Sequence, residues 1–258
     1  MIKKIKEIYL FRELIINFVV RDLKVRYHGS ILGIFWSFLN PLLNMLILAV
    51  VLSFVFKAGI KNFPVFLLIG IIVWQFHAAS LIQSARSIID NGGLIKKIYL
   101  PKEIFPLSVI LANLYQLTFS IIILIVFIIF FKIQITISFL LLPYFLLLQV
   151  VFIFGISLII SSVGVFFRDI PILMESLIPL WYFASPVMYP SNFVPERYYK
   201  IYMLNPMASF LEGYRNILLS GKIPSVEIFI VTFMFPIISL VVGFEIFSRL
   251  QKSFADEV

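Results

Sequence analysis

From Glu103 to Lys132, and again from Lys132 to Arg168, this chain runs without one intervening Asp, Glu, Lys or Arg. About 20 predominantly apolar residues in a helix cross the roughly 30 Å of bilayer hydrocarbon. A charge at the centre of such a helix costs roughly 2.5–3.5 kcal/mol on insertion scales. Further charge-free stretches lie between Arg26 and Lys57, Lys61 and Arg86, Glu175 and Glu196, and Glu227 and Glu245. With 62% apolar and 13% charged residues over 258 positions, a soluble fold could not hide its apolar surface; soluble domains carry about 25% charged residues. The expectation is an all-α integral membrane protein, a single transmembrane domain over 1–258. Six transmembrane helices are placed at 31–56, 63–85, 107–131, 139–166, 172–190 and 226–247. The fifth is the shortest, and Pro179, Pro186 and Pro190 can break it or make it re-entrant.

Orientation follows from the basic residues. With the N-terminus inside, 14 Lys and Arg fall in inside segments and 7 in outside ones, a bias that puts both termini in the cytoplasm. The net charge of +8 is spread over short segments between apolar runs, with no continuous basic face for nucleic acid. The protein is expected in the plasma membrane (the inner membrane if the cell is Gram-negative) as a multi-pass chain in contact with lipid. Its N-terminus is basic, but Arg12, Glu13, Asn17, Arg21 and Asp22 interrupt any apolar core of a secretory signal. Residues 1–28 read instead as an amphipathic interfacial helix. Ile5, Tyr9, Ile16, Val19, Val20, Leu23 and Tyr27 share one face, and Lys3, Glu7, Asn17, Arg21 and Lys24 the other. Gly29 and Gly33 read as a tight turn leading into the first span. The aromatic segment 191–224 reads as one or two short helices dipping into the outer interface.

Most catalytic chemistry is missing. The absence of cysteine removes thiol catalysis and Cys-ligated metals. The only Gly-Lys pair, Gly221-Lys222, has Asn216 where a phosphate-binding loop needs its first glycine. His28 and His77 match no metal-ligand spacing, so neither metal nor cofactor is expected in this chain. His77, inside the second span, reads as a hydrogen-bonded packing residue. Glu175 and Glu245 sit near predicted inner ends, and the spans hold almost no other ionisable group, which argues against ion-driven transport.

What the spans do hold is polar and uncharged: Trp36, Ser37, Asn40 and Asn44 in the first, Trp74, Gln75, His77, Ser80, Gln83 and Ser84 in the second, Trp181, Tyr182, Ser185 and Tyr189 in the fifth. Helix–helix contacts and interfacial aromatic belts account for part of this set. The rest suits a conduit for a hydroxyl-rich neutral substrate, because a sugar ring has an apolar C–H face that rests on an aromatic ring.

Five runs, in order, carry a resemblance: Tyr27-His28-Gly29-Ser30-Ile31-Leu32-Gly33-Ile34-Phe35-Trp36 through Asn40-Pro41, Leu100-Pro101-Lys102-Glu103-Ile104-Phe105-Pro106-Leu107, Phe167-Arg168-Asp169-Ile170, Trp181 through Pro190, and Leu204-Asn205-Pro206-Met207. Together they resemble the permease subunit of type-2 ABC exporters, nearest the branch that exports O-antigen, capsule or teichoic acid chains. The resemblance implies a homodimer working with two separate ATPase subunits, which would bind the ATP and Mg. It implies a lipid-linked polysaccharide substrate moved outward from the cytoplasm, and no catalytic residue in this chain. It also implies a coupling helix at 90–101 that docks on the ATPase, through Asn91, Gly92, Gly93, Leu94, Ile95, Lys96, Lys97, Ile98 and Tyr99. There Gly92-Gly93 is expected to break the preceding helix, with Leu94, Ile98 and Tyr99 apolar and Lys96 and Lys97 on the rim. The N-terminal arm would be a gate helix, and 191–224 an extracytoplasmic gate segment. Phe35, Trp36, Trp181, Tyr182 and Tyr189 would line the substrate path, joined by Asn40, Asn44, Trp74 and Gln75. Two rivals remain: a type-2 permease for a small drug or lipid, and, remotely, an intramembrane glycosyl or acyl transferase using Arg168, Asp169 and Glu175.

Overall fold

The computed structural model describes residues 7–56 and 62–257. Among them all regular structure is helical. The principal helices are α1 (Arg12–Tyr27), α2 (Trp36–Phe56), α3 (Phe63–Ser84), α4 (Gly92–Ile95), α5 (Ile104–Phe130), α6 (Leu142–Phe166), α7 (Ile170–Phe183), α8 (Glu196–Met203), α9 (Pro206–Leu218), α10 (Val226–Leu250) and α11 (Phe254–Glu257). Four candidate spans, built on α3, α5, α6 and α10, are long and apolar enough to cross a membrane; α7 and the stretch Trp36–Val51 of α2 are shorter apolar helices. Lys3 and Ile5 of the expected arm, and Lys57 and Lys61, lie outside the described residues.

The bundle is organised around α3. Every residue from Val65 to Trp74 is buried, as suits a helix apolar on all sides. Its neighbours are α2, α5, α6, α7 and α9. It starts at Asn62 in the left-handed region, with a proline in its first turn. The closest helix pair is α6 with α10. A Cβ at Gly155 would fall on the backbone of Ser239 and Leu240, and one at Gly243 on the carbonyl of Gly155. Hydrophobic burial does not hold helices together in lipid, so small residues that let backbones touch take over that role. Ser239-x-x-x-Gly243 is such a small-xxx-small spacing, legible in the sequence but not singled out there.

α1 and α2 are joined through Gly29 (φ 72°) and Gly33 (φ 48°), both in the left-handed region with open space where a Cβ would be. The pair serves a turn, as the sequence suggests. α1 rests on α5, with Ile15 and Phe18 buried and Phe18 packed 5.3 Å from Phe105. Tyr9, Ile16 and Val20 of the expected apolar face are exposed, while Arg21, itself exposed, reaches the loop and bonds Asn91. The arm has a second apolar stripe, Phe11, Ile15 and Phe18, that periodicity alone could not rank above the first.

The segment after α7 differs from a pair of interfacial helices. α8 lies outside, but α9 is embedded among α3, α6 and α10, with ten of its thirteen residues buried. Asn205 caps α9 by accepting from the Met207 N–H (3.1 Å), and Pro206 opens it. Arg215, 4% exposed, donates to the carbonyls of Pro186 and Val187 (2.5 and 2.8 Å) and stacks 3.5 Å from the Phe66 ring centroid. It supplies donors to a non-helical turn that water does not reach. Charge counting had assigned it to an outside loop.

Candidate functional site

A cavity of about 880 Å³ opens between α2, α3, α5 and α7. Along α3 it extends from Ile71 to Gln83, about 18 Å at 1.5 Å per residue. Its wall holds Asn40 and Asn44 from α2, Trp74 and Gln75 from α3, and Tyr182 from α7, five of the nine expected path residues. Ser37, Ser120 and the apolar residues Leu48, Ile72 and Leu117 complete much of the lining. Asn40 and Asn44 are exposed on α2, and the Asn44 amide donates to the Asn40 carbonyl at 2.8 Å.

The other four path residues do not line this cavity. Phe35, exposed, lies with its ring tilted 6.0 Å from Phe38, and Trp36 is 38% exposed at the start of α2. Trp181 is half-buried and holds the fold. Its indole N–H donates to Asn205 at 3.0 Å, the residue that caps α9 and also donates to Ala184 and Ser185. Tyr189 donates to the Phe183 carbonyl (3.0 Å) and accepts from Tyr202 (3.1 Å). His77 is fully buried in a ring cluster, with Trp181 edge-on at 4.9 Å, Trp74 at 5.6 Å and Phe152 stacked at 5.8 Å. Neither of its nitrogens has a hydrogen-bond partner among the described residues. It packs, but by ring contacts and not by the expected hydrogen bond.

At the polar end of the cavity the sequence reading named Gln83 as a polar residue of the second span but missed Arg26, Asn113 and Gln116. The Arg26 guanidinium donates to Asn113 (3.0 Å), Gln83 (2.6 Å) and Gln116, and the Asn113 amide donates to Gln83 (3.1 Å). Arg26 had served only to mark the edge of a charge-free stretch. Its three named partners come from two helices, α3 and α5, with a signal no stronger than amides near the ends of two spans.

The second feature lies at the end of the bundle where α1, the α3–α5 loop and the C-terminal tail meet. α3 ends at Ser84, eight residues before Gly92, and both Gly92 and Gly93 are helical. The glycines therefore begin α4 and do not break the preceding helix. Ile95 and Leu100 are buried with Phe105, Phe247 and Phe254, while Ile98 and Tyr99 stand exposed, Tyr99 at 89%. Leu94 is half-buried, and Lys96 and Lys97 are exposed beside the two apolar side chains. A groove of about 440 Å³ runs past them, edged by Glu7, Lys102, Gln251 and Lys252. Lys102 donates to the Gln251 carbonyl at 2.5 Å and lies 5.2 Å from the Phe254 ring, pinning the tail to the loop. Asn91 ties the loop to α1 by accepting from Arg21 at 2.8 Å. Burial raises the Asp90 carboxyl above its ordinary range, against the opposing pull of Arg86 and Arg21. No group of three or more His, Cys, Asp or Glu is placed to hold a metal among the described residues.

The two candidate features are thus a cavity walled by amides, hydroxyls, rings and aliphatic side chains with one cation at its end, and an exposed apolar-basic loop at one end of the bundle. Residues 13–219 match the family model of the ABC-2 type transporter membrane domain. The chain is 32% identical to the O-antigen export system permease protein RfbA of Myxococcus xanthus over the whole of both chains. It is 34% identical to that of Klebsiella pneumoniae over 96% of this chain and 95% of the relative. It is 27% identical to the polysialic acid transport protein KpsM of Escherichia coli over 91% and 92%. This multi-pass, all-helical chain therefore belongs to the ABC-2 type transporter family, as a membrane transport subunit.

Proposed function

We propose that the chain is the permease of an ATP-driven exporter moving a lipid-linked polysaccharide from the cytoplasm across the plasma membrane. One observation carries the reading: an open-sided cavity lined by amides, hydroxyls and aromatic rings along the long axis of the buried helix α3. A polymer must be held weakly at each step, and uncharged amides beside ring faces serve that need. Two copies face each other through α2 and α7 to close the conduit, and two separate ATPase subunits dock on Ile98, Tyr99 and their flanking lysines. α2 and α7 then count as the first and fifth of six spans, with both termini cytoplasmic and α1 lying in the inner interface. Exposed amides on α2 support this arrangement, since they are poorly suited to hydrocarbon.

The experiment is complementation. A host lacking its own export permease, supplied with this chain and its ATPase, should display surface polysaccharide, and a Tyr99→Cys variant of this cysteine-free protein should label only from the cytoplasmic side. Absence of surface polymer with a correctly inserted complex would favour a drug or lipid substrate. Labelling of position 99 from outside intact cells would refute the orientation.

A further inference from the structure

We propose that Arg26, with Gln83, Asn113 and Gln116, binds a phosphate anion carried on a lipid-linked ligand at one end of the cavity. The first argument is charge. Among the described residues that line the cavity, Arg26 alone is ionised at neutral pH; the rest of the wall is amide, hydroxyl, ring or aliphatic. One cation at one end of an otherwise neutral wall complements a ligand with one anionic end and a neutral remainder.

The second argument is geometry. The side-chain oxygens of Gln83, Asn113 and Gln116 all accept from the guanidinium, which fixes its plane without contributing charge of their own. With the oxygens of Gln83 and Gln116 turned toward Arg26, their NH2 ends remain donors on the same wall, whereas the Asn113 amide is already used on Gln83 and the Val109 carbonyl. A planar guanidinium flanked by amide donors is the arrangement that favours phosphate oxygens.

The third argument is depth. Little more than one helical turn before Arg26, Arg21 bonds Asn91 in the loop that carries Asp90, Lys96 and Lys97. Arg26 thus sits where the charged end of the bundle meets the cavity, which is the level of lipid phosphates when that end lies at the inner interface, as the function proposed above has it. The lipid-linked character of the ligand rests on the function proposed above; the anion site itself rests on the wall and its cation.

The test uses the purified full-length protein in detergent. Binding of farnesyl diphosphate is compared with that of farnesol, its uncharged counterpart, for wild type, Arg26→Lys and Arg26→Gln. Wild type should prefer the diphosphate by about tenfold or more, the value of one charge-assisted contact. Arg26→Lys should retain part of that preference, and Arg26→Gln should bring the two probes level while binding farnesol as wild type does, which shows that the variant is folded. A wild type that does not discriminate, or an Arg26→Gln that still does, overturns the proposal. Displacement by phosphatidylglycerol would assign the site to a bilayer headgroup, and resistance to it would assign it to the diphosphate of the substrate; both support an anion site. Diphosphate preference in a protein that exports no polysaccharide would leave the site standing and refute the export reading.

Discussion

α10 and α2 are both apolar helices with one side left uncovered, and the two sides are not alike. On α10 the exposed residues between Ile230 and Val242 are all apolar: Ile230, Phe233, Met234, Ile237, Ile238, Val241 and Val242. Its covered side is locked to α6 where Gly155 and Gly243 bring the backbones together. On α2 the exposed Leu43, Leu46 and Ile47 are interrupted by Asn40 and Asn44, and the helix makes looser contacts with α3 and α5. A lipid-facing surface gains nothing from amides, whereas a wall shared with a conduit or a second chain can use them. The contrast separates a fixed scaffold helix from one whose exposed side carries amides, the side proposed above to face substrate or a second copy.

The most damaging substitution should be at the scaffold. Gly155→Ala places a methyl on the Ser239 backbone and should destabilise the protein by about 3 kcal/mol, the upper end of ordinary overpacking. Gly155→Leu should abolish monodisperse protein on size-exclusion chromatography. A stable, active Gly155→Leu protein would show that the seam can open and would end the distinction.

Next comes Trp181. Its sequence position suggests a sugar platform, but its indole holds the cap of α9 through Asn205. Trp181→Ala should cost about 2–3 kcal/mol, below the 3–5 of a fully buried site because the ring is half-buried. Thermal unfolding should shift down, and export should fall only as the amount of folded protein falls. Trp36→Ala, at an exposed ring, should leave the melting temperature in place.

Ile98→Asp with Tyr99→Asp should change stability by no more than about 0.5 kcal/mol, because both side chains are exposed. Export should nonetheless be lost, with the ATPase no longer co-purifying. Unimpaired export from that double variant would remove the loop as a docking surface.

The smallest structural effect belongs to α2. Asn40→Leu with Asn44→Leu should move the melting temperature hardly at all, within about 0.5 kcal/mol for exposed positions, yet reduce export. Full export would make the exposed face of α2 equivalent to that of α10, and the comparison would collapse.

Much of the cavity's lining was legible. Asn40, Asn44, Trp74, Gln75 and Tyr182 stand out as polar or amphipathic residues in apolar runs, and the cavity collects all five. Trp181 and Tyr189 share that signature but spend their polar atoms on neighbouring backbone and side chains. Composition cannot separate the two uses, because a hydrogen-bond donor reads the same whether its acceptor is a ligand or Asn205. The surroundings of Arg26 and Arg215 were not legible for a related reason. Counting treats every basic residue as a marker of aqueous segments, while one lines the cavity and the other is enclosed beneath a proline-bounded turn.

By itself, the order of charge-free stretches determined that this chain is a bundle of apolar helices in a membrane, because the cost of burying an unpaired charge in hydrocarbon is local and can be read residue by residue. The same holds for the turn at Gly29 and Gly33, which answers to backbone sterics alone. Which stripe of α1 docks, how deep α9 sinks, and where Arg21, Arg26 and Arg215 find their partners were decided only by the tertiary structure. Those outcomes depend on pairs far apart in the chain, Phe18 with Phe105, Arg26 with Asn113, and Arg215 with Val187. Helical periodicity says which residues share a face, but only packing in three dimensions selects the face that meets a neighbour.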